Sequence, residues 1–256
     1  MGKLFGNMTT EGLEETEDRL GGGRQLLDTK VFENGTCKLA FVGKSDGGAN
    51  FMRVLFDLEG NEYEETIYFT NKKGENFYVD KQDGKKQQMP GFVTVNELCL
   101  TATGKELSDQ DFEERQIEVW DNDAKAKVRQ AREVAVDLIN VPITVAIRKF
   151  IENKSVKTEV DGKTVYTDSD ETREGNEIVK FFHPETRATV AEIKKSQKDG
   201  AGPLEAKFID DWSAKYPTDY VADKRTKKGG AKGSGSGAPP KASADGAKPK
   251  TSLFAK

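Results

Sequence analysis

From residue 36 to residue 70, apolar side chains recur at every second position with turn formers between the runs, and this period of two commits that part of the chain to antiparallel strands. Residues 36–42 place Cys37, Leu39 and Phe41 on one face and Lys38, Ala40 and Val42 on the other. Residues 50–58 turn Met52, Val54, Phe56 and Leu58 inward, and residues 62–70 add Tyr63, Ile67 and Phe69, interrupted by Glu65. For both sets to share a face, Leu58 has to oppose Tyr63, which makes residues 59–62 a four-residue hairpin loop. A slip of one residue would turn one set to solvent. The opposite face then carries Lys38, Phe51, Arg53 and Tyr68.

The same reading continues along the chain. Thr94, with Glu97 at the capping-box position, predicts a short helix over 94–100 that Gly104 ends. Residues 114–120 return to a strand with Ile117 and Val119 inward and Trp120 outward, and a partner strand falls around 128–137. Residues 141–150 point Val141, Ile143, Val145 and Ile147 one way and Thr144, Ala146, Arg148 and Phe150 the other, and Pro142 suits an edge. A polar stretch over 154–176, with a hairpin at Asp161-Gly162, leads to a last short strand at 178–182. Residues 203–216 read as a helix with Leu204, Phe208, Trp212 and Tyr216 at every fourth position, which assigns Trp212 to the core. The expected fold is mainly β: an OB-type five-stranded barrel with one inserted short helix, an extra β-hairpin and a C-terminal helix. A loose arm (1–26) precedes the body (27–223), and a flexible tail (224–256) follows it. The arm is a candidate for self-association.

Charge is distributed unevenly. The chain carries −4 overall, but residues 224–256 hold nine Lys or Arg against Asp245, +8, which leaves −12 on residues 1–223. An acidic body excludes indiscriminate phosphate binding, so a nucleic-acid ligand would need a local basic groove. No apolar run reaches the roughly 18 residues of a membrane span. The first residues lack the apolar region of a signal peptide, and Gly6 stands where a myristoylation signal wants Ser or Thr, so a cytosolic location is expected. Cys37 and Cys99 sit in apolar surroundings and read as small core residues. With His183 the only histidine, zinc is not expected, and no other metal or cofactor is implied.

Residues 71–92 interleave bases, aromatics and turn formers: Lys72, Lys73, Lys81, Lys85 and Lys86 stand against Glu75, Asp80 and Asp83, beside Phe77, Tyr78 and Phe92. Charge combined with flat apolar surface suits a single nucleic-acid strand, whose phosphates need cations and whose bases stack. The outward strand face adds Lys38, Arg53, Tyr68, Trp120, Arg148 and Phe150. Enzyme motifs fail on their spacing. Gly43-Lys44-Ser45 lacks the earlier glycine of a phosphate loop, position 38 being Lys38, and no Gly-x-Ser-x-Gly elbow presents a nucleophile. Metal-dependent nuclease chemistry is the enzyme alternative, with Glu192, Glu205, Asp210 and Asp211 supplying carboxylates. A non-enzymatic transcription or replication adaptor is another. The tail ends in Leu253-Phe254-Ala255-Lys256, an apolar pair on a polar tether, the pattern of a docking peptide.

The opening sixteen residues, residues 67–77 (Ile-Tyr-Phe-Thr-Asn-Lys-Lys-Gly-Glu-Asn-Phe), Met89-Pro-Gly-Phe92 and Asn96-Glu-Leu-Cys-Leu100 resemble the single-stranded DNA-binding proteins of lytic tailed bacteriophages, of the podophage type. The resemblance covers most of the body. It implies an OB-type fold, strand coating during phage DNA replication, recombination and repair in the cytoplasm of an infected bacterium, and no catalysis. Lys72, Lys73 and Phe77 carry over as strand contacts, and Leu253, Phe254 and Lys256 are the residues expected to recruit phage or host replication, recombination or transcription proteins. The basic tail departs from the acidic, apolar tails of bacterial strand-coating proteins, so a partner that reads acidic tails is not implied.

Overall fold

The computed structural model describes residues 26–121, 124–160, 163–198 and 202–226. The expected arm, apart from Leu26, the Asp161-Gly162 turn and the tail beyond Thr226 lie outside the described residues. The elements run β1 (Lys30–Lys44), β2 (Asn50–Leu58), β3 (Asn61–Tyr68), β4 (Phe77–Val79), β5 (Lys86–Gln88), α1 (Pro90–Thr103), β6 (Phe112–Asp121), β7 (Ala126–Ala135), β8 (Val141–Val160), β9 (Lys163–Phe182), α2 (Val190–Ser196), α3 (Phe208–Lys215) and β10 (Val221–Asp223). Eight strands form one sheet around β1, while β4 and β5 make a separate ribbon. One edge of β1 pairs with β2, which pairs with β3; the other edge pairs with β8 along Lys30–Cys37 and with β7 at Phe41 and Val42. β8 continues to β9 and, in the one parallel pairing among the described residues, to β10.

The sheet curls over one face. Phe32, Cys37 and Ala40 of β1, Met52, Val54, Phe56 and Leu58 of β2, Tyr63 and Ile67 of β3, and Ile143, Val145, Ile147, Ile178 and Phe181 of β8 and β9 bury together, with Val95, Leu98 and Cys99 of α1 filling the hollow. Both cysteines are free thiols in this core, and burial pushes each up to about 12.

The expected five-stranded barrel is corrected to an open sheet: among the described residues no ladder joins β3 to β8 or β9. α1 packs across the gap against β3, β8 and β9, tied by an ion pair between Glu97 and Lys180. One side chain spans it. The Glu65 Oε2 accepts the Ile178 N–H at 3.0 Å and the Tyr63 hydroxyl at 2.5 Å. The acidic residue that broke the alternation of β3 is therefore a bridge from the core face of one edge to the backbone of the other.

Several local expectations change with it. In β1 the pairing passes from Cys37↔Phe56 to Leu39↔Leu55, so Lys38 is the extra residue of a bulge. Beyond it the faces exchange: Ala40 and Val42 join the main core, while Leu39 and Phe41 turn to the other side with Phe51, Val119 and Val134. The β2–β3 loop holds two residues, not four, because Leu58 pairs with Asn61 and Glu59 and Gly60 both take positive φ, 56° and 85°. The shift is by two residues, so the apolar sets still share a face. Helix α1 starts four residues before Thr94, with Pro90 in its first turn, and Gly104 ends it at φ 74°. Thr94 lies inside the helix and donates to the Pro90 carbonyl. β8 is an interior strand; Pro142 is tolerated because β9 begins to pair only at Thr144. The polar stretch is a continuous ribbon, paired out to Val160↔Lys163.

Residues 203–207 are not helical. Glu192, in the first turn of α2, accepts the Lys207 and Phe208 amides, both at 2.9 Å, and this contact sets the start of α3. Trp212 is buried, with Ile209, Ala146 and Phe182, on the outer side of the sheet. Among the described residues no helix is long and apolar enough to cross a membrane.

Candidate nucleic-acid interface

On the convex side of β2 and β3, Phe51 opposes Tyr68 with ring centroids 5.8 Å apart in an edge-to-face contact, and Tyr68 is 50% exposed. Arg53, two residues along, opposes Thr66 and donates to its hydroxyl at 3.1 Å, with the guanidinium 5.9 Å from the Phe41 ring. Phe51 and Phe41 also meet Ile117 and Val119, so the β6–β7 hairpin forms one flank of this face. At its end Trp120, opposite Lys127 and 55% exposed, alternates with Val119 and so lies on the other side of the hairpin from the Phe41–Phe51 cluster, which corrects its expected place on this face.

The other flank follows β3. Asn71 folds the next residues into a tight loop: its Oδ1 accepts the Lys73 and Glu75 amides at 2.8 and 3.1 Å, and its Nδ2 donates to Glu75 at 2.8 Å. Gly74, at φ 81°, closes the turn, which leaves Lys72 and Lys73 exposed. Lys72 lies against the β1–β2 turn, where Gly48 at φ 90° gives the close approach its backbone needs. In the β4–β5 ribbon Lys86 stands 4.2 Å over the Phe77 ring, a cation–π contact, and Tyr78 beside it is half-buried. Lys81 and Lys85 occupy the ribbon's turn, Lys85 3.3 Å from Asp83. Phe92 is half-buried and packs on the core.

The charges fall into two populations. Body cations such as Lys30, Lys105, Lys149, Lys180, Arg187 and Lys224 each hold a carboxylate. Among the described residues Lys38, Lys44, Lys72, Lys73, Lys81, Lys86, Lys127 and Arg132 hold none; Lys72 and Lys73 follow the Phe51–Tyr68 face and Arg132 shares its side, while Lys44 and Lys127 alternate to the other side. Lys125, Lys157, Lys215 and Lys198 also hold none, as do Lys194 and Lys195 in the last turn of α2, where the helix dipole accommodates them. Lys44, Lys127 and Arg132 were missed in the sequence, although the register of the β6–β7 hairpin would have set Lys127 opposite Trp120.

Arg148 and Phe150 do not belong to this face. Arg148 is ion-paired to Glu177 at 2.8 Å and lies 5.5 Å from the Tyr216 ring; Phe150 is covered by Gly175 and by Lys224, 4.1 Å from its ring. Alternation predicts a side of the sheet but not a position along it. Val31 marks the α3 end of β1 and Phe41 the hairpin end, ten residues or about 33 Å of strand apart.

Three of the carboxylates of the nuclease alternative, Glu192, Glu205 and Asp210, hold partners within the body. Glu192 completes the capping box of Thr189; desolvation raises its carboxyl, but the Thr189, Phe208 and Lys207 hydrogen bonds outweigh this and hold it below the usual range. Asp210 pairs with Arg187 at 3.4 Å and Glu205 with Lys207 at 2.8 Å. Among the described residues no three His, Cys, Asp or Glu side chains cluster as metal ligands. Leu253, Phe254 and Lys256 lie outside the described residues. Comparison of the chain with family models, curated proteins and solved structures finds no match.

Proposed function

We propose that the protein binds single-stranded DNA, tolerantly of sequence and without catalysis, over the convex face that holds Arg53, Phe51 and Tyr68 and the loops beside it. The observation that carries this reading is the set of unneutralised cations beside exposed aromatics, on a body whose other cations are largely paired. Phosphates would displace nothing when they meet Lys72 and Lys73, and a base would stack on Tyr68. The resemblance to podophage strand-coating proteins points the same way, to replication, recombination and repair in the host cytoplasm. We read the curled sheet as a derivative of the OB-type barrel, opened between β3 and β9 and plugged by α1, the helix that follows the β4–β5 ribbon. The tail is assigned to partner recruitment through Leu253, Phe254 and Lys256. Its first residues are strapped to the β8–β9 ribbon, with the Lys224 amide donating to the Ile151 carbonyl and the Thr226 amide to Asn153, both at 2.8 Å.

The test is titration of a fluorescent oligonucleotide in the presence of duplex competitor. Single strands should bind and duplex should compete poorly; equal affinity for the two forms refutes the proposal.

A further inference from the structure

On the concave side, where β1 and β2 turn, a cleft of about 630 Å³ opens between Phe69, Phe112 and Leu107. This is within the size range of small-ligand sites. Three polar side chains line it, Lys44, Asn50 and Glu133, and among the described residues none has a hydrogen-bond or ion-pair partner. Glu133 opposes Val42 on β1, whose side chain packs on the core, and it opposes Glu114 on β6. Two carboxylates directly across a ladder repel each other. Glu133 is exposed, so its carboxylate is held by water and can exchange that water for a donor on a ligand. Asn50 and Lys44 sit at the same end of the sheet as Phe51 and Lys72, so a strand that runs off the convex face over this end would reach the cleft.

We propose that this cleft takes one nucleobase turned out of the bound strand, and that it selects bases bearing an amino group. The inference rests on the single-strand reading above. A carboxylate only accepts, which suits the exocyclic amino group of cytosine or adenine or the N1 and N2 donors of guanine. Thymine offers one N–H between two carbonyls, and both carbonyls face the carboxylate badly. Lys44 and the Asn50 amide donate to the ring nitrogen or carbonyl beside the amino group, while Phe69 and Phe112 take the apolar faces. The protein thereby gains one selective position on an otherwise tolerant path.

Fluorescence titration of full-length protein with 12-mers of dT and of dC at equal salt tests this. Wild type should bind the dC oligomer about fivefold tighter than the dT oligomer, the lower end of what one base-edge contact discriminates. Glu133→Gln, which both donates and accepts, should bring that ratio to about one. Glu114→Gln removes the same charge outside the cleft and should leave the ratio standing. Equal wild-type affinities, a ratio that survives Glu133→Gln, or one that Glu114→Gln abolishes equally would overturn the base-selective cleft. Failure to bind either oligomer would overturn the single-strand reading and this inference with it.

Discussion

Glu65→Ala and Glu65→Gln should separate sharply, because Glu65 is the one charged side chain on the core face of β3 and the bridge across the open edge of the sheet. Alanine leaves the buried Ile178 N–H without its acceptor, which costs about 1–3 kcal/mol. Glutamine keeps an acceptor and the side-chain volume. The two variants should therefore differ by about 2 kcal/mol, which for a body of about 200 residues is a difference of about 4–8 °C in Tm. Burial raises the Glu65 carboxyl above its ordinary range; the Tyr63 and Ile178 hydrogen bonds oppose the rise, nearby Glu177 adds to it and Lys224 opposes it. A raised carboxyl means that the folded state takes up the proton before the unfolded chain does. Wild type accordingly gains on Glu65→Gln as pH falls through the raised value, and the glutamine variant compares best at neutral pH. Urea denaturation at neutral and mildly acidic pH, with hydrogen exchange at the Ile178 amide, reads both effects. Equal stability of the two variants, or unchanged exchange at Ile178 in Glu65→Ala, would show that the edge does not depend on this bridge.

Gly91→Ala should destabilise by about 1–3 kcal/mol in thermal denaturation, since its Cβ would lie 2.0 Å from the Tyr68 carbonyl oxygen, backbone against backbone, and push α1 off β3. Tyr68→Ala should weaken oligonucleotide binding by about 1–3 kcal/mol if a base stacks there, whereas Phe150→Ala should leave affinity within about twofold, because the Phe150 ring is covered. Removal of residues 251–256 should leave DNA affinity unchanged and abolish partner recruitment in pull-downs from infected-cell extract; full recovery of every partner by the truncated protein contradicts the docking role.

The alternation of residues 50–58 and 141–150 was legible because a strand buried on one face writes its period of two into the side chains. Neighbouring features were hidden for specific reasons. The bulge at Lys38 is a one-residue event that no alternation announces, and it exchanged the faces of Leu39 and Phe41 with those of Ala40 and Val42. The two-residue β2–β3 turn differs from a four-residue loop by an even shift, which hydrophobic patterning cannot distinguish. Helix α2 did leave a signal, Thr189 with Glu192 three residues on, and it went unread. Strand β10 pairs through three residues with no pattern of their own. For the candidate interface, the lysines around residue 72 were visible in sequence. Arg148 and Phe150 were misplaced, because a shared face on a long curled sheet does not imply a shared neighbourhood.

Salt dependence of oligonucleotide affinity tests the assignment of the convex face most directly, measured for wild type, Tyr68→Ala, and Lys72→Ala combined with Lys73→Ala. Each lost phosphate contact to a single strand should flatten the slope of log K against log salt by about 0.7, so the double lysine variant should lose up to about 1.4. Tyr68→Ala should weaken binding at every salt concentration with its slope nearly intact. A wild-type affinity indifferent to salt, or a double lysine variant with the wild-type slope, would contradict a single strand held at this face.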